Sequence, residues 1–133
     1  MREGFVKKII SLGFTAAFVI VLAGAGYLAY EIHAYVRDIS EKAKAAYGLN
    51  YMDSLAKVVD SEDWTFKDRN DAVWALGQIA DERALPVLKK HYTGVMPQRE
   101  PLDKVLSQYE IRKAIKWCEK GNLISWMHTK YRN

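Results

Sequence analysis

A chain of 133 residues, half of them hydrophobic and with a formal net charge of +4, has room for one domain of ordinary size and not for several. Its single cysteine, Cys118, excludes an internal disulfide and any metal centre built from several thiolates. His33, His91 and His128 share no metal-ligand spacing, and the sequence has neither a Cys-x-x-Cys-His haem signature nor a Gly-rich phosphate loop, so no metal or cofactor is expected.

Residues 1–8 form a basic tail containing Arg2, Lys7 and Lys8. The 22 residues Ile9–Tyr30 that follow carry no formal charge. As a helix they extend about 33 Å, enough to cross a hydrocarbon core of roughly 30 Å, so residues 9–30 are expected to be a transmembrane helix. A cleavable signal peptide is the rival reading, because Ala23-Gly24-Ala25 has the small-x-small form of a processing site, and a cut near Ala25 would release a secreted or periplasmic helical adaptor. The apolar run outlasts that site by several residues, which favours a retained anchor.

Arg2, Lys7 and Lys8 before the run balance Arg37, Lys42 and Lys44 after it, so charge alone does not orient it. A short basic N-terminus before a long apolar run is the pattern of a signal anchor. It predicts a single pass through a prokaryotic inner membrane with the C-terminal domain on the periplasmic side. Gly13 with Ala17, and Ala25 with Ala29, are spaced four apart, so that small residues would let another subunit's helix approach closely. Tyr27, Tyr30 and Tyr35 fit an interfacial aromatic belt.

From Glu31 to Tyr47 neither Gly nor Pro interrupts the chain, and Ile32, Tyr35, Val36 and Ile39 recur at helical spacing. The helix is expected to continue as a stalk over residues 31–48 and to stop at Gly48. Residues 49–133 then read as an all-α domain of short amphipathic helices. Met52, Leu55, Val58 and Val59 make one apolar stripe, and Ala72, Val73, Leu76, Ile79 and Ala80 a second. Asp81 is placed to cap a third helix that contains Leu85, Val87 and Leu88, with Pro86 in its first turn. A loop over Thr93–Pro101 leads to a fourth helix expected from Leu102 to Lys120, closed by Gly121, and a short last helix is expected to carry Leu123, Ile124, Trp126 and Met127.

The stretch Arg69-Asn70-Asp71-Ala72-Val73-Trp74-Ala75-Leu76-Gly77-Gln78-Ile79-Ala80-Asp81-Glu82-Arg83-Ala84-Leu85-Pro86-Val87-Leu88 resembles the HEAT-like helical repeat of many prokaryotic proteins. Glu110 to Cys118 looks like a degenerate second copy, with Arg112 in the place of Arg69. The resemblance implies a short α-solenoid of about two helix pairs. Leu76, Gly77 and Pro86 would be repeat positions, and Arg69 and Arg112 would tie neighbouring units together with Asp81 as an acceptor. HEAT-like domains serve chiefly as protein-binding scaffolds, and some relatives are lyases that attach bilin pigments, so a cofactor lyase or chaperone is a further alternative. One helix pair cannot bury its apolar face alone, so a stack this small is expected to lean on a partner or on the stalk.

Charge is unevenly spread. Residues 53–82 hold eight acidic side chains against Lys57, Lys67 and Arg69, a net of −5, whereas residues 104–133 hold seven basic ones against Glu110 and Glu119, a net of +5. The basic end suits an acidic partner patch or anionic lipid headgroups. Trp117 and Trp126, aromatic residues among these cations, are the expected protein-contact residues. The anchor argues against nucleic acid. With no catalytic constellation in the sequence, the expected role is a non-catalytic accessory or scaffold subunit that binds other subunits of a membrane complex.

Overall fold

The computed structural model describes residues 2–133, and among them every regular element is helical. Five α-helices follow one another: α1 (Arg2–Tyr47), α2 (Tyr51–Asp60), α3 (Phe66–Ile79), α4 (Leu85–His91) and α5 (Gln108–Lys120). A 3-10 turn, Glu82–Ala84, precedes α4, and a 3-10 segment, Ser125–Arg132, ends the chain. The chain divides into two compact units, one ending at Ile32 and the other running from His33 to Asn133.

The first unit is the N-terminal part of α1, which is long and apolar enough to cross a membrane. Its most apolar stretch has a mean hydropathy of 2.2, and none of that stretch is buried. Phe14, Phe18, Val19, Ile20 and Leu22 all present their side chains outward. A water-soluble helix would direct such residues onto a core.

In the second unit, local capping sets where the helices begin. Asn50 accepts from the Asp53 amide at 2.8 Å, Thr65 from that of Asp68 at 3.1 Å, and Ser107 from that of Glu110 at 3.1 Å, each satisfying an amide that has no partner inside its own helix. Gly48, at φ +64°, closes α1, and its amide donates to Lys44 O at 2.8 Å.

The core then follows from the stripes. Met52, Leu55, Val58 and Val59 of α2 and Ala72, Val73, Leu76 and Ile79 of α3 are buried with Leu88 of α4 and with Ile111 and Ala114 of α5. Val36, Ile39, Ser40 and Ala43, one face of α1, close over them. Lys42 reaches Asp68 at 2.6 Å, and the Tyr35 ring meets Trp74 edge-on at 5.3 Å between centroids. The residues read as a stalk therefore supply part of the domain's own core, as a stack of so few helices requires.

Two expectations change. The fourth helix begins at Gln108 instead of Leu102, because the Glu100 carboxylate accepts from Ser107 Oγ and the Gln108 amide, both at 2.6 Å, and fixes the helix start there. A negative charge at the first turn complements the helix dipole. The apolar residues Leu102 and Val105, which look like one more helical turn in sequence, are exposed before it.

The last segment is 3-10 in place of α-helix and breaks its helical geometry at His128. Its burial is the reverse of the apolar pattern: Leu123 and Trp126 face outward, whereas His128 and Tyr131 are the buried members. Gly77, finally, works by close approach. It lies within α3, where a methyl group would stand 3.0 Å from Ala114 Cα and 3.2 Å from the Trp117 ring. The left-handed residue that ends α3 is Ala80, at φ +54°.

Candidate partner-binding surface

α5 has two faces of opposite character. Ile111, Ala114 and Cys118, at helical spacing, face inward against α3, where Cys118 Sγ lies 3.7 Å from Leu76 O. Burial pushes the Cys118 thiol up to about 12, so at neutral pH it remains a protonated, unreactive side chain. On the outer face Tyr109, Arg112, Lys113 and Lys116 line a shallow groove of about 230 Å³. The Lys113 ammonium pairs with Glu110 at 2.9 Å and sits 5.0 Å from the centre of the Trp117 ring. Among the described residues, Arg112 and Lys116 make no ion pair.

The acidic half of the domain is arranged differently. Asp68 is paired with Lys42, Asp71 with Lys67, Asp81 with Arg83, and Asp60 with both Lys90 and His91. These contacts hold several carboxyls below the usual carboxylate range: Asp60 through Lys90 and then His91, Asp68 through Lys42, and Asp81 through Arg83. The polarity of −5 against +5 thus becomes an acidic region in which Asp60, Asp68, Asp71 and Asp81 are paired and a basic helix face on which Arg112 and Lys116 are not.

The repeat residues divide as well. Arg69 is buried, and its Nε donates to Val59 O, near the end of α2, at 3.0 Å. A cation there satisfies a carbonyl with no helical partner and complements the dipole. Arg112 does not repeat that role. It is exposed, and the equivalent contact at the end of α3 comes from Arg132, whose Nε and Nη2 reach Ile79 O at 3.3 and 3.1 Å. Nor does Asp81 accept from Arg69: it caps the Glu82–Ala84 turn and pairs with Arg83. Leu76 is fully buried, and Pro86 occupies the first turn of α4, where its missing amide costs no helical bond.

Of the expected contact residues, Trp117 is partly buried against Gly77, and Trp126 is exposed. Gly13 has open space around it, Ala17 and Ala25 are exposed, and Ala29 is partly covered. Sequence reading missed Arg132, which lies far from any repeat motif. It also missed the pairing of His33 with His128, whose rings stack at 5.5 Å.

Short capped helices packed in succession, with an arginine at each of two helix ends, make a short helical-repeat stack. Residues 68–93 match the family model described as PBS lyase HEAT-like repeat, which identifies α3, the turn after it and α4 as a HEAT-like repeat segment. No curated protein and no solved structure matches the chain.

Proposed function

We propose that the chain is a non-catalytic, single-span accessory or scaffold subunit of a larger membrane complex, holding an acidic partner protein on the outer face of α5. The observation that carries this reading is the groove of Tyr109, Arg112 and Lys116, where two cations without an ion pair flank an exposed aromatic ring. Tyr and Arg are enriched at protein interfaces, and unpaired like charge on one helix face speeds encounter with a partner of opposite charge. Gly13, Ala17, Ala25 and Ala29 would receive a neighbouring subunit's helix within the bilayer, with small side chains letting the two backbones approach. The bilayer in question is a prokaryotic inner membrane, and the domain faces the periplasm.

The test is native purification of the full chain from membranes in mild detergent, side by side with the double variant Arg112→Glu, Lys116→Glu. The wild-type chain should bring down companion proteins in fixed stoichiometry, more of them at low salt than at high salt. The variant should fold normally and lose at least one of them. Recovery of the wild-type chain alone, or of the same companions with both chains, would contradict the proposal.

A further inference from the structure

The turn before the C-terminal 3-10 segment and the start of that segment carry two exposed apolar residues that the proposed α5 groove leaves unused. Leu123 is 91% exposed and Trp126 71%, the largest exposures among the bulky apolar residues of the second unit. Two residues beyond Trp126 the segment is firmly held, because His128 is fully buried and stacks on His33, and Tyr131 lies 6.2 Å from the same His33 ring. His33 is only three residues beyond Tyr30, where the uncharged run ends.

The peptide chain itself sets a limit here. Three fully extended residues span at most about 10 Å, and the two from His128 back to Trp126 about 7 Å. Added to the 5.5 Å between ring centres and to the reach of the two imidazoles from their backbone, these lengths tether the Trp126 backbone within roughly 30 Å of the point where an Ile9–Tyr30 span leaves the hydrocarbon. Lys116, Lys120, Lys130 and Arg132 are the cations of residues 116–133, and the one acid there, Glu119, is paired with Lys89 at 2.9 Å. Lys130 lies 3.7 Å from Glu41 and Arg132 donates to Ile79 O, whereas Lys120, one residue before Gly121, makes no ion pair among the described residues.

We propose that Leu123 and Trp126 insert into the headgroup region of an anionic bilayer, with Lys120 meeting the lipid phosphates, so that the protein touches its membrane at a second point. Trp favours this zone because its ring is apolar and its indole N–H still finds a polar partner, and lysines just outside the hydrocarbon are drawn to anionic headgroups. The proposal rests on the anchored reading of the Ile9–Tyr30 run. It gives the His33–His128 stack a function, which is to tie the C-terminal segment to the stretch of chain that follows the apolar run.

The test uses the full chain reconstituted into vesicles of phosphatidylcholine, or of phosphatidylcholine and phosphatidylserine in a three-to-one mixture, with bromine on the upper acyl chain. Flotation with the vesicles reads the anchor, and tryptophan emission reads the tip. Brominated lipid should quench part of the wild-type emission, more strongly with phosphatidylserine, and that quenched part should vanish in Trp126→Phe and shrink in Leu123→Ser. Both substitutions lie at exposed positions, and an unchanged circular dichroism spectrum confirms the fold. A chain that floats but shows equal quenching in wild type and Trp126→Phe overturns the proposal and spares the anchor. Trp126 shielded from aqueous iodide yet unquenched by lipid assigns the tip to a protein contact and overturns it too. A chain that does not float overturns both.

Discussion

α3 and α5 start from similar sequence templates and end in different roles. α3 is enclosed on both sides, by α2 and by α5, so that Ala72, Val73, Ala75, Leu76, Gly77 and Ile79 are all buried, and even Arg69 is drawn in to cap α2. α5 is covered on one side only. Three of its residues are buried, and its arginine points to solvent while Arg132 arrives from the chain end to cap α3. A repeat arginine is thus kept by the geometry of a carbonyl needing a donor, and not by its place in a motif. Where a later segment supplies that donor, the helix is free to turn its cations outward.

The sharpest way to break this contrast is to place a charge on each side of it. Leu76→Asp buries a carboxylate without a partner and is expected to abolish cooperative unfolding of the second unit, at a cost above about 4 kcal/mol. Leu123→Asp, on the exposed tip, should leave the melting temperature in detergent within a degree or two of wild type. Similar melting curves for the two variants would contradict the assignment of the core.

Acidification comes next in size. Burial, and then the neighbouring His33, push His128 down to about 4 from an unfolded value near 6.5, so the unfolded chain takes up the proton more readily between those pH values. Stability is therefore complete above pH 6.5, declines as pH falls through the window and has lost about 3 kcal/mol by pH 4. Asp60, Asp68 and Asp81, whose carboxyls are held low, add their own loss only toward the acidic end. Chemical denaturation of His128→Phe should show the slope between pH 6.5 and 5 flattened, and an unchanged slope would remove His128 from the account.

The arginines give the smallest and most specific comparison. Arg69→Met is expected to cost about 2 kcal/mol, because it strips the donor from a buried carbonyl, whereas Arg112→Met should stay within about 0.5 kcal/mol. Equal losses at the two positions would restore Arg112 as a repeat arginine.

Much of this fold was legible in the sequence because apolar spacing and burial coincide in α2 and α3. The helix starts were legible too, in Asn50-x-x-Asp53, Thr65-x-x-Asp68 and Ser107-x-x-Glu110, and the last of these would have placed the start of α5 correctly over the misleading Leu102 and Val105. The C-terminal segment was not legible. Hydropathy ranks Leu123 and Trp126 above His128 and Tyr131, yet the His33 ring receives the His128 imidazole, and the rings of His33 and Tyr51 flank the Tyr131 phenol. Tertiary shape, which no local window contains, decided that case. The same holds for the α5 groove: the excess of cations was visible in the sequence, but that Asp60, Asp68, Asp71 and Asp81 would be paired by Lys90, Lys42, Lys67 and Arg83 was not.

Both the partner-binding role and the membrane-touching tip depend on the apolar run remaining attached and spanning a bilayer. The most direct measurement is an alkaline wash of membranes from cells making the chain, followed by intact mass analysis of the protein in pellet and supernatant. The account predicts that it stays in the pellet at a mass that includes the Ile9–Tyr30 run. A soluble form whose sequence begins near Gly26 would contradict it.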